Sequence, residues 1–209
     1  DYARKLNDIS NEKQRADMDV LIKNWDMLKS YRFSKQTPEQ QISTKILDFY
    51  WEMQVYMQQY DQIMYYSYPI NHIDGVHISF VDFMLNTHEI NSLEDAENYL
   101  ERLKNADGKI RQTINKFEFH TMPPVFIIDK VIAQIEHFIN LSIEENLIYK
   151  DFHKKIDNVR NLPQQARNEL FYELKILLEG DVIPSYKYLL KELTNAKSKA
   201  MPSAGIWQT

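Results

Sequence analysis

The 209-residue sequence contains no cysteine and only four glycines. Without cysteine the chain forms no disulfides and no thiolate metal sites, and it has no cysteine nucleophile. The absence leaves the cellular compartment open, because exported and cytosolic proteins can both lack cysteine. Tight hairpin turns commonly require glycine, so a chain with only four glycines favours long helices over hairpin-rich sheets.

The sequence also lacks a long apolar run and a basic block. No stretch approaches the ~18–20 apolar residues of a membrane-spanning helix, so we predict no membrane span. The formal net charge is −5. With no Lys/Arg stripe to contact phosphates, nucleic acid is not an expected partner. The first residues carry no signal-peptide core, which fits a mature or trimmed N-terminus.

Common catalytic signatures are missing too. The sequence has no phosphate-binding glycine loop, no dinucleotide-binding glycine pattern, no G-x-S-x-G and no H-E-x-x-H. No two of the six histidines lie four residues apart. No predicted helix therefore presents a ready histidine pair to zinc.

Apolar residues recur at spacings of three and four along most of the chain, which is typical of amphipathic helices. We predict an all-α fold, an irregular array of about seven or eight helices. Residues 1–200 are predicted to form a single domain, and residues 201–209 a tail or linker. Cap residues and prolines place the helix starts, and Pro184 predicts a kink near Gly180. The predicted helices start near Tyr2, Thr37-Pro38, Ser92, Pro124, Ser142 and Pro163. The first and third are expected to run to about Ser30 and Phe119, and the fourth, which has the most regular amphipathic stripe, to Asn140.

The second predicted helix carries a row of apolar and aromatic side chains. Such a row could bind a ligand or a partner helix, but apolar periodicity is first a packing signal. We therefore expect these side chains in the core. They are Ile42, Ile46, Phe49, Tyr50, Met53, Tyr56, Met57 and Tyr60.

One long segment, residues 67–83 (SYPINHIDGVHISFVDF), does not read as helix. Pro69 removes a backbone donor, and Gly75 permits backbone angles that other residues avoid. We expect a structured loop there, with a short helical turn near residues 80–85, and binding surfaces commonly lie on such loops. His72, Asp74 and His77 could form a metal or acid–base cluster. Polar or solvated loop residues are the simpler interpretation, because the cluster has no fourth ligand.

The same segment resembles a known family. Residues 68–79, YPINHIDGVHIS, resemble the P-I-N-Q-x-x-G-x-H-hydrophobic-S segment of a large bacterial family of unknown function, numbered 885. Residues 93–103, 121–136 and 182–190 resemble three further segments of this family, in the same order, and GIW at 205–207 resembles the start of another. His72 stands where the family usually has Gln, so no family role carries over to that side chain.

The resemblance implies a larger protein. Family members are much longer, are often exported or lipid-anchored, and carry a metallopeptidase-like H-E-x-x-P-G-H-H motif downstream of the Trp element. By this resemblance the chain is the N-terminal helical scaffold and substrate-cleft wall of a zinc-dependent peptidase or hydrolase. Zinc is implied for the full-length protein but not for this chain, which is not expected to be catalytic by itself. The expected partners are the C-terminal catalytic half and a peptide substrate, in an exported, periplasmic or lipid-anchored protein.

Our candidates for facing the cleft are Asn71, Asp74, Gly75 and His77, and we assign no catalytic residue and no metal ligand. Two alternatives stay open. One is a free-standing helical module that binds a peptide or a partner helix through its aromatic row. The other is an enzyme complete within these residues, using His72, Asp74 and His77.

Overall fold

The structure, a computed structural model, describes residues 2–58, 68–118 and 122–200. Within these ranges every regular element is a helix and no strand occurs, which confirms the predicted all-α fold. The described residues contain nine α-helical segments. The number is seven when the two segments that meet at Asn105 are counted as one helix, and likewise the two that are separated by residues 178–182. The predicted tail at 201–209 lies outside the described residues.

The chain divides into two compact units, one formed by residues 9–67 and the other by residues 1–8 and 68–209. Within each unit, only the ranges given above are described. The prediction of a single domain over residues 1–200 stays a prediction.

The first of these units is a helical hairpin. Helix α1 (Asn11–Ser30) leads through a 3₁₀ turn (Phe33–Lys35) to α2 (Pro38–Gln58). Thr37 begins α2 as predicted: its Oγ1 accepts from the Gln40 backbone N–H at 3.3 Å, and the Gln40 side chain accepts from the Thr37 N–H at 2.9 Å. This reciprocal pair satisfies two backbone donors that the helix itself leaves free. Trp25 Nε1 donates to Asp48 Oδ1 at 2.7 Å and joins the two helices.

The predicted helix start at Tyr2 is wrong. Residues 2–10 are not helical, and α1 begins only at Asn11, where the Ser10 hydroxyl accepts from the Lys13 backbone N–H at 3.2 Å. Tertiary hydrogen bonds compete for the earlier residues. Arg102 donates to the carbonyls of Tyr2 and Lys5, and Lys109 Nζ donates to the Asn7 carbonyl at 2.7 Å.

The prediction that the apolar row of α2 lies in the core is also wrong. No residue of α2 is buried, and Tyr60, the last member of the predicted row, lies outside the described residues. Ile42 and Ile46 are each 61% exposed, and Phe49 is 66% exposed. The periodicity correctly indicates one apolar face, but the described residues of the helical hairpin leave that face exposed.

The second unit contains the buried core. Its α-helices are α3 (Val76–Asp82), α4 (Leu93–Lys104), α5 (Ala106–Asn115), α6 (Val125–Asn140), α7 (Leu147–Asp157), α8 (Gln164–Leu177) and α9 (Ile183–Lys197). Helix α9 packs against α5 and α6, and α4 packs against α8. Side chains from these helices fill the centre, and the largest that are fully buried include Tyr99, Leu103, Ile128, Ile135, Ile148, Phe152 and Tyr186.

Several predicted helix ends in this unit are confirmed. Ser92 Oγ accepts from the Asp95 backbone N–H at 3.1 Å and begins α4. Helix α6 begins immediately after Pro124 and ends at Asn140, as predicted. The irregularity expected near Gly180 is a π-helical turn (Leu178–Val182) between α8 and α9. Such turns insert an extra residue and commonly interrupt long helices.

Two predicted boundaries in this unit need correction. The helix expected from Ser92 to Phe119 breaks at Asn105, whose φ of −88° and ψ of 3° lie outside the helical region. The loop expected to reach Phe83 ends at Gly75, because α3 begins at Val76 and a π-helical turn (Phe83–Thr87) extends it. Neither change is marked by a proline, which is the strongest boundary signal in a sequence.

Candidate functional site

The loop formed by residues 68–75 is held together by its own hydrogen bonds. Asn71 Oδ1 accepts from the backbone N–H groups of Ile73 at 2.8 Å and Asp74 at 2.9 Å. The Asn71 N–H donates to the Asp74 carbonyl at 2.7 Å. An asparagine side chain that binds the backbone two and three residues ahead closes a tight turn. Asn71 is therefore occupied within the loop, while Ile73 and Asp74 are exposed.

Gly75 joins this loop to α3 in a conformation that requires glycine. Its φ is +152° and its ψ is 166°, a region that residues with a Cβ essentially do not occupy. A Cβ at this position would lie 2.6 Å from Ile70 Cγ1 and 3.1 Å from His77 Nδ1. The glycine thus allows the buried Ile70 and His77 side chains to pack directly against the loop backbone.

His77 fastens the start of α3 to two other helices. Its Nε2 lies 3.0 Å from Gln134 Oε1 on α6, and the Gln134 amide nitrogen donates to the His72 carbonyl at 3.1 Å. Because the Gln134 nitrogen donates to the His72 carbonyl, the Gln134 amide oxygen faces the His77 ring. That oxygen can only accept, so His77 Nε2 carries the proton. The buried Tyr186 hydroxyl on α9 donates to the His77 carbonyl at 3.1 Å. These bonds fix the loop and the first turn of α3 to α6 and α9.

The surroundings of the His77 ring favour its neutral form. Burial of the imidazole lowers its pKa, and this outweighs the opposing effects of the Gln134 hydrogen bond and the Asp74 charge. Its Nδ1 is buried, and no hydrogen-bond partner for it lies among the described residues. A neutral, buried ring whose Nε2 proton is already donated is suited to positioning rather than to proton transfer.

A groove of about 580 Å³ opens beside His77 between α3, α6 and the segment that leads into α7. Mainly apolar clefts with a few polar groups are the usual form of ligand sites. Its apolar lining is Ile78, Val81, Leu85, Ile135, Phe138, Leu141 and Leu147, and its polar lining includes Asp82, Gln134, His137, Glu145 and Lys150. Of the four residues predicted to face a cleft, His77 lines this groove, whereas Asn71, Asp74 and Gly75 lie outside it.

The structure does not bring His72, Asp74 and His77 together as a metal site. Across residues 2–58, 68–118 and 122–200, no group of three or more His, Asp or Glu side chains is placed to hold a metal ion. In the same ranges no helix is both long enough and apolar enough to cross a membrane. The cleft-facing role of Asn71, Asp74, Gly75 and His77 stays a prediction.

Gln134 contributes to the site but is not among the residues predicted from the sequence. It binds His77 through its oxygen and the His72 carbonyl through its nitrogen, so one side chain joins the middle of the loop and the first turn of α3. A signal was present, because residues 121–136 resemble a family segment in which Gln stands at this place. Only the fold, however, brings residues 134 and 77 together.

Comparison with known proteins identifies the family. The model of the family described as "Bacterial protein of unknown function (DUF885)" matches residues 1–205. The chain belongs to this family. Among curated proteins none matches.

One solved structure, described as "The crystal structure of the putative lipoprotein from Colwellia psychrerythraea", has the same fold with a TM-score of 0.80 at 16% sequence identity. The match covers 98% of this DUF885 chain and 37% of the Colwellia chain. The chain thus spans little more than a third of the length of that similar protein.

Proposed function

We propose that this DUF885 chain is the helical scaffold and substrate-cleft wall of a larger zinc-dependent peptidase or hydrolase, whose metal motif lies outside residues 1–209. The supporting observation is the pair of coverages: the fold accounts for 98% of this chain but only 37% of the solved chain. A fold of this kind therefore occurs as one part of a longer polypeptide. The resemblance of the sequence motifs supplies the peptidase chemistry.

The described residues do not fit a zinc site, since no group of three possible ligands is present among them. We therefore derive no metal-dependent step from this chain. Its contribution is to bind and orient the substrate. A cleft wall must hold its shape, because ordering a loop on binding would reduce the affinity for substrate.

The groove beside His77 is the proposed substrate contact. Its lining is mainly apolar, which suits an apolar side chain of a peptide. Glu145 and Lys150 at the same groove offer one charge of each sign for the polar backbone or termini of the peptide. The bonds from His77 to Gln134 and Tyr186 keep the adjoining loop rigid before substrate arrives.

The test is to fill the groove in the complete gene product. Leu85→Trp places a larger ring in the groove, and Leu93→Trp makes the same change at a 42% exposed site that does not line the groove. We expect Leu85→Trp to raise KM for a peptide substrate about tenfold, equivalent to ~1.4 kcal/mol, with kcat and zinc content unchanged. Leu93→Trp should match the wild type. Equal KM values for the two variants would contradict the proposed role of the groove.

We also propose that the complete protein is exported or lipid-anchored, as the description of the Colwellia protein as a lipoprotein supports. The measurement is protease digestion of intact cells and of spheroplasts that express the gene product. Digestion of the protein in spheroplasts would agree with export, because the protease reaches the outer face of the inner membrane but not the cytoplasm. Full protection in spheroplasts would contradict it.

A second candidate function is a free-standing interaction module, which the exposed apolar row of α2 favours. This function predicts saturable binding of an amphipathic helical peptide to the complete gene product. The fluorescence of Trp25 and Trp51 in the helical hairpin would report such binding. Absence of saturable binding, together with peptide hydrolysis by the same preparation, would rule this candidate out.

A further inference from the structure

The exposed face of α2 is an extended apolar feature that the proposed function leaves unused. We call it the α2 stripe. Its most exposed members are Phe49 at 66% and Ile42 and Ile46 at 61% each. The full set is Ile42, Ile46, Phe49, Tyr50, Met53, Tyr56 and Met57, all of which are between 37% and 66% exposed.

The α2 stripe is larger than a soluble protein normally leaves open. A half-exposed aromatic or large aliphatic side chain presents on the order of 100 Å², so seven of them present on the order of 700 Å². Monomers usually show apolar patches of about 300–600 Å² at most. One side of a stable protein interface buries about 800 Å². The stripe alone is therefore close in size to one side of an interface.

The spacing of the stripe suits a helix as its partner. Ile42, Ile46, Phe49, Met53 and Tyr56 follow one another at intervals of four, three, four and three residues. Alternating intervals of three and four are the pattern of a coiled-coil seam, in which each side chain inserts between four residues of a facing helix. None of the seven members carries a formal charge, so the matching surface is itself apolar.

The helical hairpin does not use this seam for its own packing. Its two helices are joined by a polar contact from Trp25 Nε1 to Asp48 Oδ1 at 2.7 Å, and Thr44 Oγ1 on α2 donates to Gln36 Oε1 in the segment before that helix at 2.9 Å. An amphipathic helix in a soluble protein normally buries its apolar side. Here a polar contact joins the two helices of the hairpin, and the apolar side chains of α2 are exposed.

We propose that a helical segment of the same polypeptide, outside residues 1–209, covers the α2 stripe. This inference rests on one part of the proposed function, namely that the chain is a piece of a larger protein. The occupant follows from the comparison: this fold makes up 37% of the similar solved chain, so further polypeptide accompanies the fold in that protein. The partner is an amphipathic helix whose apolar seam pairs with α2.

The test is site-specific photo-cross-linking in the complete gene product. Benzoylphenylalanine replaces Phe49, which keeps an aromatic ring at an exposed site, and in a second preparation it replaces the exposed Lys23 on α1 as a control. After irradiation at low protein concentration, mass spectrometry identifies the joined peptides. We expect position 49 to cross-link, within a single polypeptide, to one segment outside residues 1–209, at a yield at least five times that of position 23.

Four results would overturn the inference: cross-links only to other parts of residues 1–209, cross-links between two copies, cross-links only to a different protein, or a yield at position 49 less than five times that at position 23. A gene that encodes no further helical segment would overturn it as well. The cross-link depends on neither zinc nor peptide hydrolysis. A gene product that cross-links as expected but hydrolyses no peptide would therefore refute the proposed function and leave this inference standing.

Discussion

Replacing Gly75 with alanine tests whether the loop geometry requires glycine. Gly75 has a φ of +152°, and the added methyl carbon would lie 2.6 Å from Ile70 Cγ1. Ile70 is 1% exposed and belongs to the core, so it has little room to move away. The substitution therefore combines an unfavourable backbone conformation with a steric conflict.

The two costs can be estimated separately. Holding a residue with a Cβ in this backbone region costs about 1–3 kcal/mol. Forcing an extra methyl group into a packed core costs about 1–3 kcal/mol. We expect Gly75→Ala to lower the free energy of unfolding by ~2–6 kcal/mol, out of the roughly 5–15 kcal/mol typical of a folded domain.

Urea unfolding followed by circular dichroism measures this loss, and Gly108 provides the matched control. Gly108 lies within α5, and a Cβ there would meet nothing within 4 Å. Gly108→Ala should therefore raise the free energy of unfolding by about 0.5–1 kcal/mol, because alanine loses less backbone freedom in a helix. A Gly75→Ala protein within about 0.5 kcal/mol of the wild type would refute the reasoning.

Three further predictions concern helix capping, the anchoring of the loop and acid stability. Ser92→Ala removes the hydroxyl that caps α4 and should lower the free energy of unfolding by about 1 kcal/mol. Ser92→Asp should keep most of the wild-type stability, because a carboxylate can also cap the helix. Equal stability of the wild type and the two variants in urea would contradict this. Tyr186→Phe leaves the His77 carbonyl without its donor and should cost about 1–3 kcal/mol in urea, with faster hydrogen exchange at the start of α3; unchanged exchange there would contradict the anchoring role. His88 accepts from Arg102 only when it is neutral, and burial together with the Arg102 charge lowers its pKa to about 4. Since this pKa lies below the unfolded value of about 6.5, the stabilisation is complete above pH 6.5 and is lost as the pH falls towards 4. His88→Gln should lose less stability over this range than the wild type. Urea midpoints that fall equally with pH in the two proteins would contradict the assignment.

The sequence was most informative where a local signal determines local structure. Thr37 and Ser92 were expected to begin helices because their hydroxyls can accept from backbone N–H groups three residues ahead, and both do so. Pro124 was expected to start the most regular amphipathic helix, and α6 follows it directly. These signals require no knowledge of the rest of the fold.

The predictions failed where residues far apart in the sequence determine the local structure. Residues 2–10 were expected to be helical, but the carbonyls of Tyr2 and Lys5 bind Arg102, which lies far away in the sequence. Periodicity showed that α2 has an apolar face, yet it could not show what covers that face. The seven exposed side chains were therefore mistaken for core.

The candidate site was located only in part. The sequence placed a structured loop before α3 and singled out Gly75 and His77, and the structure gives both a defined geometric role. It could not foresee that the Asn71 side chain binds the loop backbone, or that Gln134 joins His77 and the His72 carbonyl. Such pairings depend on how the helices pack, which a single sequence does not specify.

The central claim, that the metal chemistry lies outside this chain, is tested most directly by elemental analysis. Zinc per polypeptide is measured after dialysis for the complete gene product and for residues 1–209 alone, each with a parallel sample resupplied with zinc. We predict that the complete gene product retains about one equivalent of zinc and that residues 1–209 retain none. Stoichiometric zinc on residues 1–209 that is lost in His72→Ala or His77→Ala would contradict the claim and place a metal site in the loop beside α3.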